Sequence, residues 1–179
     1  MIGRFARTLL GGSVSEPALS PADETIAALT ARLDAAAQIR LGRSLALRHI
    51  ATGGCNGCEL ELTALTGIVY DLERFGLRFV SSPRHADVLI ATGPLTRNLR
   101  EALTQTWEAM ADPKWIVAVG DCAVDGGVFR GSYAVHGGID GTIPVDLLVR
   151  GCPPTPTQVL TGLLTLIEAN VPRRPARRR

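Results

Sequence analysis

The sequence predicts a three-layer α/β sandwich around a mainly parallel, flavodoxin-like sheet. Two observations carry this. From Ser44 onward, strand-length apolar runs alternate with helix-length segments. Those segments repeat their apolar residues at helical spacing, so each helix has one face to lay on a sheet. Alternation of this kind implies right-handed βαβ crossovers and a sheet covered on both faces. At 179 residues and 46% hydrophobic, the chain can bury one good core, and general disorder is excluded.

The elements follow in order. Residues 1–43 read as an N-terminal extension. Ser20-Pro21-Ala22-Asp23 has the Ser cap and early Pro of a helix start, and Ile26, Leu29, Leu33 and Ala37 then form a narrow apolar stripe. Two roles fit that amphipathic helix: packing on its own domain, or docking on a partner or a lipid surface. An α/β domain spans 44–171. Ser44 to Ile50 is a predicted strand, and Glu59 to Phe75 a helix with Leu65, Ile68, Val69 and Leu72 as its buried face and Gly76 as its stop. Apolar runs at Leu77–Val80 and Asp87–Ala91 precede a helix over Leu95–Met110 and a strand over Trp115–Val119. A glycine-rich loop, Gly120–Pro144, leads to a strand at Val145–Val149. The last helix, Thr155–Ala169, turns Leu160, Leu163, Leu164 and Ile167 to one side.

The net charge of +2 comes from 19 basic and 17 acidic residues, and five of the arginines lie in the basic tail, 172–179. Without those five, 14 basic residues face 17 acidic ones, so the body is mildly acidic and no nucleic-acid surface is expected. Aromatic residues at 4% leave little for base stacking. The tail reads as a solvated end, with anionic lipid or an acidic partner patch as its alternative contacts. No apolar run reaches the roughly 18–20 residues that span a bilayer. The first residues have neither a twin-Arg pair nor a sustained apolar stretch, so a cytoplasmic location is expected.

Four cysteines then require explanation: Cys55, Cys58, Cys122 and Cys152. In a parallel α/β sheet, ligands bind at the carboxyl ends of the strands. Each cysteine follows a predicted strand, so separations of 3, 64 and 30 residues collapse onto one edge of the sheet. In a reducing compartment such cysteines are metal or redox groups rather than disulfides. Three readings compete. Structural zinc uses four thiolates but usually two close pairs, whereas here one CxxC stands with two distant singletons. A dithiol places CxxC between strand and helix but leaves Cys122 and Cys152 without a role. A [4Fe–4S] cluster uses all four, and Cys152-Pro153 has the proline that often follows such a ligand.

The residues around these cysteines resemble a known family. Gly54-Cys55-Asn56-Gly57-Cys58-Glu59, Gly120-Asp121-Cys122 through Gly126-Gly127, and Gly151-Cys152-Pro153-Pro154-Thr155-Pro156 resemble the small subunits of energy-converting [NiFe]-hydrogenases. Formate hydrogenlyase and hydrogenase-4 type subunits belong there, with the 20-kDa subunit of complex I further off. The likeness runs from Ser44 to Ala169 and includes Ser82–Asp87 and Thr92–Arg97. The complex I subunit has adjacent cysteines at the first ligand position; Asn56-Gly57 separates them here. The uptake-type small subunits are longer and carry cysteines for further clusters.

This resemblance implies one [4Fe–4S] cluster held by Cys55, Cys58, Cys122 and Cys152, relaying electrons between a ferredoxin-like subunit and the nickel–iron centre of a large subunit. Membrane-arm subunits would place the complex on the inner face of the cytoplasmic membrane. The alternative is the equivalent subunit of a complex I-like oxidoreductase without hydrogenase activity. The chain itself would hold no independent active site. Glu59 is either a carboxylate favoured at a helix start, like Glu61, or a proton-transfer group at the subunit interface. Asp121 beside the third ligand would disfavour reduction if it points inward, and Arg150 would do the reverse. His136 either hydrogen-bonds near the cluster or lines an interface. His49, beside an apolar strand, reads as a satisfied core or boundary histidine rather than a ligand, and His85 as a loop residue.

Overall fold

The computed structural model describes residues 23–170, so the expected Ser20–Ala22 helix start and the basic tail lie outside the described residues. Helix α1 (Asp23–Leu41) leads into β1 (Ala46–Ala51) and then α2 (Gly57–Ala64). Next come β2 (Arg78–Phe79), β3 (Val88–Thr92), α3 (Arg100–Glu108) and β4 (Trp115–Val119). The short α4 (Asp121–Asp125), β5 (Leu147–Val149) and α5 (Pro156–Asn170) complete the order.

The sheet has the strand order β2-β1-β3-β4-β5, and every neighbouring pair is parallel. This is the predicted flavodoxin-like α/β fold, whose order reverses between β1 and β3. Because side chains alternate along a strand, the two faces have separate cores. Val88, Ile90, Val117 and Val119 pack with Leu33 and Ala37 of α1, Leu62 of α2, and Leu160, Leu163, Leu164 and Ile167 of α5. Leu89, Ala91, Ile116 and Ala118 pack on the opposite face with Leu103 of α3 and Ala123 of α4. The α1 stripe residues Ile26, Leu33 and Ala37 are buried, and α1 lies along α5.

At the amino ends of the strands, the buried Asp87 carboxylate accepts from Ala46 N at 2.9 Å and from Arg43 at 2.6 and 3.0 Å. This joins the start of β1 to the residue before β3, reinforcing the bond from Asp87 N to Ala46 O at 2.8 Å.

Three expectations need correction. The helix predicted over Glu59–Phe75 ends at Ala64. Thr63 and Thr66 return their hydroxyls to main-chain carbonyls, Gly67 carries no side chain, and three successive amides bond three residues back rather than four. A turn then brings Leu72 N onto Leu65 O at 3.2 Å. Leu65 and Leu72 are therefore buried as expected, but Ile68 is 99% and Val69 63% exposed.

The helix expected from Leu95 begins at Arg100, because Leu95 and Arg97 hydrogen-bond to the backbone of residues 134–137. The loop predicted over Gly120–Pro144 contains α4 and a single 3₁₀ turn, Gly127–Phe129.

Candidate metal centre

The carboxyl edge of the sheet gathers all four cysteines. Cys55 lies in the β1–α2 loop, Cys58 in the first turn of α2, Cys122 in the first turn of α4, and Cys152 between β5 and α5. Together they line one cavity of about 100 Å³, with Glu59, Asp121 and the glycines of the same loops as its other walls. Cys55 and Cys152 are exposed at its mouth, and Cys58 and Cys122 are half-buried. Among the described residues, no three His, Cys, Asp or Glu side chains converge on a point suited to one metal ion.

Two glycines make room for the sulfurs. A Cβ on Gly120 would lie 2.5 Å from Cys58 Sγ, and one on Gly127 would lie 2.8 Å from Cys122 Sγ. Both residues also hold positive φ, at +94° and +48°, which glycine adopts without steric cost.

Burial pushes the Cys58 thiol up to about 11, and the Glu59 carboxylate adds to that rise, followed by the other three thiols. The Cys122 thiol is also raised by burial, although the Val128 amide opposes this by hydrogen bonding to it. Four thiols this close resist ionising together unless positive charge sits among them. The donor set and the glycine-lined space therefore fit a metal group held by four thiolates.

Glu59 accepts a hydrogen bond from Thr92 Oγ1 at 2.6 Å, and His49 Nε2 lies 2.9 Å from the same hydroxyl. Burial holds His49 below the ordinary imidazole range, with Glu59 opposing and Arg48 reinforcing that shift. Glu59 also forms part of a second cavity of about 260 Å³, shared with His49, Leu62, Thr63, Thr66 and Phe79.

Asp121 lines the thiol cavity and accepts from Gly151 N at 3.1 Å, while Arg150 approaches Asp121 at 3.9 Å and Asp125 at 3.5 Å. The Asp125 carboxyl is held below its ordinary range, first by the Gly127 amide and then by Arg130. Glu61, His85 and His136 lie outside the cavity wall, and the two histidines are exposed. Thr92 is the participant that sequence reasoning missed. Its signal was a hydroxyl residue ending the otherwise aliphatic run Val88-Leu89-Ile90-Ala91.

Residues 55–166, which include all four cysteines, match the family model described as NADH ubiquinone oxidoreductase, 20 Kd subunit. The chain belongs to this family. Formate hydrogenlyase subunit 7 of Escherichia coli K12 is 41% identical over 152 residues, covering 83% of this chain and 58% of that protein. The present chain thus spans less than two thirds of that relative. "Probable membrane-bound hydrogenase subunit mbhJ" of Pyrococcus furiosus is 43% identical over 128 residues, covering 72% of this chain and 77% of its own.

A chain in the structure of the membrane-bound sulfane sulfur reductase, an archaeal respiratory membrane complex, superposes with a TM-score of 0.64. It is 34% identical, over 75% of this chain and 72% of that one. These relatives are named as subunits of a formate hydrogenlyase and a membrane-bound hydrogenase, and as part of a membrane-bound reductase complex. Among the described residues, no helix of this chain is long and apolar enough to cross a membrane.

Proposed function

We propose that Cys55, Cys58, Cys122 and Cys152 hold one [4Fe–4S] cluster, and that the chain is the electron-transfer subunit of a membrane-bound hydrogenase complex of the formate hydrogenlyase type. The observation that carries the reading is the convergence of four thiols, from three separate loops, on one glycine-lined cavity. When bound, the cluster supplies one-electron transfer. The protein supplies the four ligands, places two of them at the cavity mouth, and surrounds the others with the β1, β3 and β4 loop backbones. Electrons would pass between ferredoxin-like subunits and the nickel–iron centre of the large subunit, with membrane-arm subunits anchoring this peripheral protein at the inner face of the cytoplasmic membrane.

The likeness to the sulfane sulfur reductase chain favours a second reading, the same subunit in a complex I-like oxidoreductase without hydrogenase activity. The two are separated by the co-purifying large subunit, which carries two CxxC motifs for nickel only in the first. Both readings need the cluster, and that is tested directly. Anaerobically purified protein is expected to contain about four iron and four sulfide per chain. Cys122→Ser and Cys152→Ser should lose that content and much stability, because metal binding and folding are coupled. One zinc with no sulfide, or full loading in both variants, refutes the assignment.

A further inference from the structure

Thr92 closes β3, a strand paired on both sides, and its side chain is fully buried. Within β3, Val88, Ile90 and Thr92 share a face by alternation, as do Leu47 and His49 in the adjacent β1, and α2 lies on that same face. The threonine hydroxyl has one proton, and it goes to Glu59 Oε1. His49 must therefore donate through Nε2–H to Thr92 Oγ1, which fixes its neutral tautomer and leaves Nδ1 free to accept. The line His49 N–H, Thr92 O–H, Glu59 carboxylate runs one way, each donor strengthening the next.

Glu59 stands between two spaces. It follows Cys58 in sequence and lines the thiol cavity. Its carboxylate is held by a donor at the carboxyl end of β3, the middle strand of the sheet. Without that donor, the side chain at the start of α2 would be free to turn toward the sulfurs, and its charge would act on them without the opposing hydroxyl dipole.

We propose that Thr92, backed by His49, is a positioning residue that fixes the Glu59 carboxylate beside the cluster and thereby sets the cluster's readiness to accept an electron. This rests on the four cysteines being the cluster ligands. A purely space-filling role for Thr92 predicts no such control.

The test is a redox titration followed by electron paramagnetic resonance on the full chain isolated anaerobically, with iron and sulfide measured first. Thr92→Val keeps the side-chain shape and removes the donor. The expected result is a lower midpoint potential, because an uncompensated negative charge disfavours adding an electron. Thr92→Ser is expected to restore the wild-type value, and Glu59→Gln to shift it upward. An unchanged or raised potential in loaded Thr92→Val overturns the proposal. Should Thr92→Val not load, Glu59→Gln decides: an unchanged potential there overturns the proposal, and an upward shift with wild-type behaviour in Thr92→Ser supports it. Absence of iron and sulfide from the wild-type chain instead removes the cluster reading on which the proposal stands.

Discussion

Gly120→Ala separates the cost of a backbone conformation from the cost of displacing a ligand. Gly120 has φ +94° and ψ 151°, an extended positive-φ conformation that is essentially glycine's alone, and an alanine there costs about 1–3 kcal/mol in backbone strain. Gly131 has φ +81° with nothing within 4 Å of its hypothetical Cβ, so Gly131→Ala carries a positive-φ penalty of about 1–2 kcal/mol and no steric clash. At Gly120 the new Cβ would stand 2.5 Å from Cys58 Sγ, and the sulfur has to retreat to at least 3.0 Å. Metal–ligand distances tolerate about 0.2 Å, so Cys58 cannot make that move and keep its bond unless the whole group shifts against three other ligands. The assay is iron and sulfide per chain after anaerobic purification, with urea unfolding of the same samples. Gly131→Ala is expected to load fully and lose about 1–2 kcal/mol of stability. Gly120→Ala is expected to lose most of its iron. Equal loading of the two variants would show that Cys58 is not held to a metal at this position.

Asp87→Ala should cost about 1–4 kcal/mol in urea unfolding: an orphaned buried Ala46 amide costs about 1–3, and the half-exposed Arg43 pair adds up to about 1. A loss below about 0.5 kcal/mol counts against its role in joining β1 to β3. Leu72→Ala should destabilise by about 2–5 kcal/mol and Ile68→Ser by under about 0.5, since one is buried and the other exposed; similar losses would contradict the turn at residues 65–71. In the metal-free chain, the Cys58 thiol is raised mainly by burial to about 11, so its thiolate is scarce at neutral pH and accumulates as pH rises. Alkylation of Cys58 should therefore quicken about tenfold per pH unit from pH 8 to pH 10. A plateau by pH 9 would show that the thiol is not so shifted.

The parts of the fold that sequence made legible are those where burial and local preference agree. Trp115–Val119 is the predicted strand residue for residue, because it is apolar throughout and buried on both faces. The predicted apolar face of α5 is buried at all four positions. The cysteine convergence was also legible, since parallel strands put every following loop at the same edge. The failures lie where local hydrogen bonding overrides periodicity. Ile68 and Val69 fit a helical stripe, but the threonine hydroxyls and Gly67 end the helix before them. Leu95–Arg97 pairs with a segment nearly forty residues away in sequence, an interaction no local window contains. Thr92 matters through two side chains that only the tertiary structure brings to it.

Asp121 and Arg150 show how a pair changes the meaning of its members. Taken singly, the acid would make reduction of a nearby cluster harder and the base would make it easier. In the structure they face each other at 3.9 Å, and Arg150 also reaches Asp125, whose carboxyl is already engaged by Arg130. Two acids and two bases thus share one partly exposed rim, and each acid has a base beside it. Exposed pairs of this kind contribute about 0–1 kcal/mol, so the ionic contact does little to hold the loops. The backbone does more: Asp121 N donates to Gly151 O at 2.9 Å, and Gly151 N donates back to Asp121 Oδ1 at 3.1 Å. That reciprocal closure ties the start of α4 to the loop after β5. It fixes Cys122 relative to Cys152 across 30 residues of sequence, so Asp121 acts at this site through geometry more than through charge.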